Sequence, residues 1–159
     1  MMTTHSHWSI IPITFLIAFI LTLLPMPEWA IWLKPAWILM VLIFWAMTEP
    51  ERVNVGVAWL LGIFLDVLQG TLLGEHALAL TVVIYLVIRM HRRLRMFPLL
   101  QQSISVFFLV LVYQFILFCI QGFLGELPNS WAYWASSVTS MFLWPWVSSI
   151  MRGRTVIKL

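Results

Sequence analysis

The chain has 159 residues, of which 62% are hydrophobic and only 9% charged, and its formal net charge is +3. Soluble domains carry charge on about a quarter of their residues, so a water-facing surface cannot be built here and lipid must solvate most of the exterior. Helices of about 20 residues use up most of the length, which excludes a separate soluble catalytic or nucleotide-binding domain. The basic excess is grouped beside apolar runs, as membrane-orienting charge is, and does not indicate a nucleic-acid partner.

Apolar runs predict six membrane spans at residues 8–24, 31–47, 53–70, 75–90, 99–124 and 131–151. The expected fold is an all-α integral membrane bundle, a single transmembrane domain over residues 1–159. The tail before the first run holds His5 and His7, half of a metal site with no third ligand nearby, so no metal or cofactor is expected. It lacks the basic segment of a cleavable signal, and the first run is read as a retained span. Pro12 is expected in the first turn of that helix, where its missing N–H costs little. Pro25 and Pro27, Pro50, Pro98, and Pro128 with Asn129 punctuate the later connections. The third and fourth spans are short and must tilt or borrow flanking residues.

The basic residues give the threading. Arg52, then Arg89, Arg92, Arg93 and Arg95, then Arg152, Arg154 and Lys158 fall on the side of the termini; only Lys34 falls on the other. The positive-inside rule then makes both termini cytoplasmic. Trp29, Trp32, Trp131 and Trp134 are expected at the outer interface. Trp8, Trp45, Trp144 and Trp146 are expected at the inner one. Trp37 and Trp59 lie deeper and are expected to pack between helices.

Gly62, Asp66, Gly70 and Gly74 recur every four residues. In lipid no hydrophobic force draws helices together, so small residues that let backbones approach carry much of the packing. The glycines are read as a close helix contact, with termination of the helix at Gly70 and Gly74 as the other reading. Asp66 lies roughly 6 Å inside its span at 1.5 Å per residue and needs a partner. Thr71, His76, Gln69, Gln114 and Ser137 are candidates. A polar clasp is favoured over a binding or proton-handling role, because the chain offers no second intramembrane acid or base for a relay. On that reading Asn at position 66 is tolerated. Arg52 and Asn54, beside Glu49 and Glu51, are read as an ion pair or interface contact and a cap or bridge at the start of the third span. The Arg89, Arg92, Arg93, Arg95 patch is read as orienting charge on anionic lipid, with docking of an acidic protein as its rival. Ser136, Ser137 and Ser140 form a small polar face suited to packing. The lone Cys119 sits in the fifth run, and no catalytic motif appears.

Three segments are familiar: Pro50-Glu-Arg-Val-Asn-Val-Gly56, Gly62-Ile-Phe-Leu-Asp66-Val-Leu-Gln-Gly70-Thr-Leu-Leu-Gly74, and Leu143-Trp-Pro-Trp146. With the length and six-span layout, they resemble the bacterial rod shape-determining membrane protein MreD family over nearly the whole chain. The N-terminal tail departs from it in lacking basic residues. The resemblance implies a non-enzymatic scaffold of the cell-elongation machinery in the bacterial inner membrane. It implies association with the bitopic protein MreC and, directly or through it, with RodA, the elongation transpeptidase and MreB. It also implies a fold similar to the substrate-binding subunits of energy-coupling-factor transporters. The alternative is a small-molecule-binding transporter subunit. That reading needs several convergent polar groups, and only Asp66, His76 and Gln121 stand out in the outer half. The Ala-x-x-x-Ala docking face of such subunits is incomplete, with Thr22 four residues after Ala18.

Overall fold

The computed structural model describes residues 5–128 and 131–156. Asn129 and Lys158 lie outside the described residues, as do the side chains of His5, His7, Trp8, Trp32 and Arg154. The described residues form α1 (His5–Leu23), a 3-10 helix Glu28–Leu33, α2 (Trp37–Thr48), α3 (Val55–Gln69), α4 (Glu75–Met96), α5 (Leu99–Leu124), a 3-10 helix Trp131–Trp134 and α6 (Ala135–Val156), with no strand among them.

Punctuation residues explain most boundaries. The side chain of Asn54 caps α3 by accepting from the N–H groups of Gly56 and Val57 at 3.1 and 3.4 Å. Pro98 precedes α5, and Gly125 closes it in the left-handed conformation at φ 78°. Four expectations need correction. The helix expected over the second apolar run does not begin at residue 31, because Glu28–Leu33 is a separate 3-10 turn and Pro35 delays α2 to Trp37. The fourth helix does not stop where its apolar run does, at residue 90: α4 continues through the arginines to Met96 and breaks at Pro98. The sixth opens with a 3-10 turn and runs on to Val156. Pro12 is not in a first turn, since α1 starts at His5, so it removes an interior hydrogen bond.

At the centre stands α2, buried at every position from 38 to 47. A helix apolar all round is suited to such a place. It packs against α1, α4 and α6; α3 lies chiefly on α4, and α5 joins α4 to α6. Outward faces are apolar: Phe64, Val67, Phe108, Phe123 and Phe142 are exposed, whereas Asp66, Glu75, His76, Gln102 and Gln114 are buried. Apolar outside and polar inside is the distribution a lipid solvent favours. By length and composition, α5 is long and apolar enough to cross a membrane; Ser9–Leu23, Trp37–Thr48 and Val55–Gln69 are apolar but shorter.

The tryptophans sort differently from expectation. Trp45 and Trp144 are fully buried core residues, not interface anchors. The indole of Trp45 donates to Thr14 Oγ1 at 2.9 Å, which satisfies its polar edge inside the bundle. Trp59 is half exposed and does not pack between helices. Trp29, Trp131 and Trp146 are exposed, and Trp37 is partly buried.

Candidate functional site

The turn from α3 to α4 is organised by one carboxylate. Asp66 is completely buried. Its Oδ1 accepts from the backbone N–H of His76 at 2.9 Å, from the Thr71 hydroxyl at 3.0 Å and from His76 Nδ1 at 2.7 Å. Oδ2 accepts from the N–H of Gly74 at 2.8 Å. Each carboxylate oxygen offers about two lone-pair sites, so three donors crowd Oδ1 while Oδ2 holds the fourth. The bond to His76 also assigns the proton to Nδ1 of that ring. Of the partners foreseen for Asp66, Thr71 and His76 are in place. Gln114 instead donates to the carbonyl of Tyr133, and Ser137 to that of Trp134.

The glycine pattern separates into two jobs. Gly62 lies against the backbone of Ala77, and a Cβ there would fall 2.2 Å from Ala77 Cα. Gly70 and Gly74 meet nothing at that distance; they hold φ values of 68° and 101°. They are turn residues and not part of the close contact, which corrects the single-face reading. Their left-handed backbone lets the chain reverse tightly enough for Asp66 to reach Gly74 and His76.

Beside this clasp, at the same end of the bundle, lies a cavity of about 260 Å³ lined by Lys34, Trp37, His76, Tyr113, Gln114 and Tyr133, among others. Its walls are tied across the chain. Tyr133 donates its hydroxyl to the carbonyl of Gln114 at 3.2 Å, returning the bond from the Gln114 amide at 2.8 Å. The Ser136 hydroxyl donates to the carbonyl of Lys34 at 2.7 Å, and Ser140 accepts from the N–H of Ala36 at 3.2 Å. Lys34 donates to the carbonyl of Thr22, and burial holds its ammonium below the usual lysine range. Buried Glu75 accepts from Gln121 at 3.0 Å. Tyr113 and Tyr133 were not foreseen, because no local pattern links residues 34 to 136.

The opposite end carries the arginines. Arg52 pairs with Glu49 at 3.3 Å. Glu49 itself closes α2 and is not at the start of α3. Arg89, Arg92, Arg93 and Arg95 are all exposed on the last turns of α4. Arg95 and Arg152 share a hollow of about 220 Å³ with Gln102. Gln102, buried and also unforeseen, donates to the carbonyl of Leu94 at 2.8 Å and accepts from Arg152 at 2.9 Å. It thereby ties α4, α5 and α6 together. No three His, Cys, Asp or Glu side chains converge as metal ligands among the described residues.

A helical bundle with an apolar exterior, a buried carboxylate clasp and arginines gathered at one end is the framework of a membrane protein. The profile described as rod shape-determining protein MreD matches residues 2–154. A rod shape-determining protein MreD of Haemophilus influenzae is 35% identical over 154 residues, covering 96% of this chain and 95% of the relative. The chain belongs to the MreD family of rod shape-determining proteins, and its role lies in rod cell shape. No solved structure matches it, so the expected likeness to energy-coupling-factor subunits has no support there.

Proposed function

We propose that this chain is a non-enzymatic scaffold and regulator of lateral peptidoglycan synthesis, lying in the bacterial inner membrane as one six-span domain with both termini cytoplasmic. Its partner in the membrane is the span of MreC. RodA, the elongation transpeptidase and MreB join directly or through MreC, and anionic lipids contact the arginine end. The observation that carries this reading is the inverted distribution of polarity: large apolar side chains cover the outside while Asp66, Gln102 and Gln114 are sealed within. A surface of that kind needs lipid or another helix against it. Grouping of Arg52, Arg95 and Arg152 at one end supports the cytoplasmic orientation of that end. The roles of Asp66, Gly62, Gly70 and Gly74 are then to brace the α3–α4 pair that presents such a face.

Two measurements test it. Purification in mild detergent followed by mass spectrometry should recover MreC with the tagged chain; its absence while the chain remains folded counts against the scaffold. A reporter fused after Leu159 should be active on the cytoplasmic side. Activity confined to the periplasm would invert the threading.

A further inference from the structure

The hollow beside His76 carries unspent hydrogen-bonding capacity that the scaffold role does not use. His76, Tyr113 and Gln114 are each more than nine-tenths buried and all line it. His76 commits Nδ1 to Asp66, and its Nε2 has no hydrogen bond among the described residues. The hydroxyl of Tyr113 likewise has none. Gln114 commits its amide N–H to Tyr133, while its Oε1 is buried without a partner. Buried polar groups are overwhelmingly paired, so the sealed and unpartnered Gln114 Oε1 points to an occupant, and His76 and Tyr113, which line the same cavity from α4 and α5, add two unused hydrogen-bonding groups to the site.

We propose that this cavity binds a small uncharged group bearing a hydroxyl or a carboxamide on an apolar body. With Nδ1 carrying its proton toward Asp66, the uncharged form of the His76 ring presents a lone pair at Nε2, and Gln114 Oε1 presents another. Both require a donor on the occupant. The Tyr113 hydroxyl supplies a donor for the occupant's own oxygen. A carboxylate offers no proton to the two acceptors and faces Asp66 and Glu75 nearby. An ammonium has no lone pair to accept from the Tyr113 hydroxyl and shares the cavity with Lys34. Hydroxyl and carboxamide groups both donate and accept without charge. Trp37, Leu65 and Leu117 supply apolar walls for the rest. The volume of about 260 Å³ is just below the range of about 300–1,000 Å³ for drug-sized sites, so the occupant is fragment-sized. It is either a free molecule or the hydroxylated headgroup of a lipid.

Benzamide is the probe, added to the full chain in nanodiscs and followed by saturation-transfer NMR. Saturable binding is expected, about tenfold weaker in Tyr113→Phe and in Gln114→Leu, as loss of one hydrogen bond to a ligand gives. Tyr85→Phe, on an exposed face, should leave it unchanged. Benzoate and benzylamine should bind at least about tenfold more weakly. Leu117→Trp, which fills the hollow, should abolish binding while helicity by circular dichroism is retained. Native mass spectrometry of the protein in mild detergent separates the sources. A retained lipid that Leu117→Trp releases assigns the headgroup, whereas lipid-free protein that still binds benzamide assigns a free molecule. Purely linear partitioning of benzamide, binding indifferent to Tyr113→Phe and Leu117→Trp, or tighter binding of benzoate would each overturn the proposal and leave water as the filling.

Discussion

Gly62 and Ala77 touch backbone to backbone: a Cβ at position 62 would lie 2.2 Å from Ala77 Cα and 2.6 Å from its nitrogen. Neither atom can move aside as a flexible side-chain tip could, so α3 and α4 must separate to admit any larger residue. Gly62→Ala is expected to destabilise the folded chain by about 1–3 kcal/mol, the cost of overpacking, and Gly62→Leu to disrupt assembly and rod shape. Gly153→Ala, where nothing lies within 4 Å, is the control. Thermal unfolding in detergent measures the difference, and equal behaviour of the two Ala variants would show that the contact is not tight.

At Asp66 the geometry revises the expectation that Asn is harmless. Asn retains one oxygen for His76 and Thr71, but its NH₂ group then faces the N–H of Gly74, donor against donor. Asp66→Asn should cost roughly 1–3 kcal/mol for that unpaired group, and Asp66→Leu more, because every donor around it is then orphaned. Chemical denaturation of the two variants beside the parent gives the order. An Asn variant as stable as the parent would mean that the Gly74 bond contributes nothing.

Gly70 and Gly74 fail for a different reason from Gly62. Each has open space where a Cβ would go, but each holds a positive φ. Ala at either position should cost about 1–2 kcal/mol of backbone strain, and Asn, which tolerates that region, less. If Gly70→Ala and Gly70→Asn melt alike, conformational strain is not the cause.

Gln102 is expected to matter more than its anonymity in an apolar run suggests. Gln102→Leu removes one acceptor of Arg152 and leaves the carbonyl of Leu94 without that bond. The expected loss is about 1–3 kcal/mol, with faster proteolysis after residue 152 in reconstituted protein. Cleavage at the parent's rate would show that the Gln102 bonds do not hold α6 there.

Arg92→Gln with Arg93→Gln should weaken rod-shape complementation only partly, since Arg89 and Arg95 remain on the same helix end. Cell-shape measurement with a topology reporter checks this. Complete loss of shape with unchanged topology would favour protein docking over lipid contact.

Much of the helix punctuation was legible in the chain. Pro98 and Gly125 bracket α5 at the expected limits of 99 and 124, and Asn54 sits where a cap belongs. The failures cluster where helix ends compete with 3-10 turns. Around residues 28–33 and 131–134 the apolar pattern continues, but the regular helix does not.

Composition alone pointed to a lipid-solvated protein, because 9% charged residues cannot cover a surface in water; the length of the apolar runs pointed to helices, and the spacing of Arg and Lys suggested an orientation. Which side each apolar residue faces was decided only in three dimensions. Lipid and protein core are both apolar, so a buried Trp144 and an exposed Trp59 are chemically equivalent in the sequence. The same holds for α2, whose apolar residues could have met lipid but are enclosed by other helices. Polar groups carry the facing information, and theirs depends on partners far along the chain. Asp66 could be expected to need donors, but only folding brings Gly74 and His76 onto its two oxygens. Only folding, too, sets His76, Tyr113 and Gln114 around one hollow.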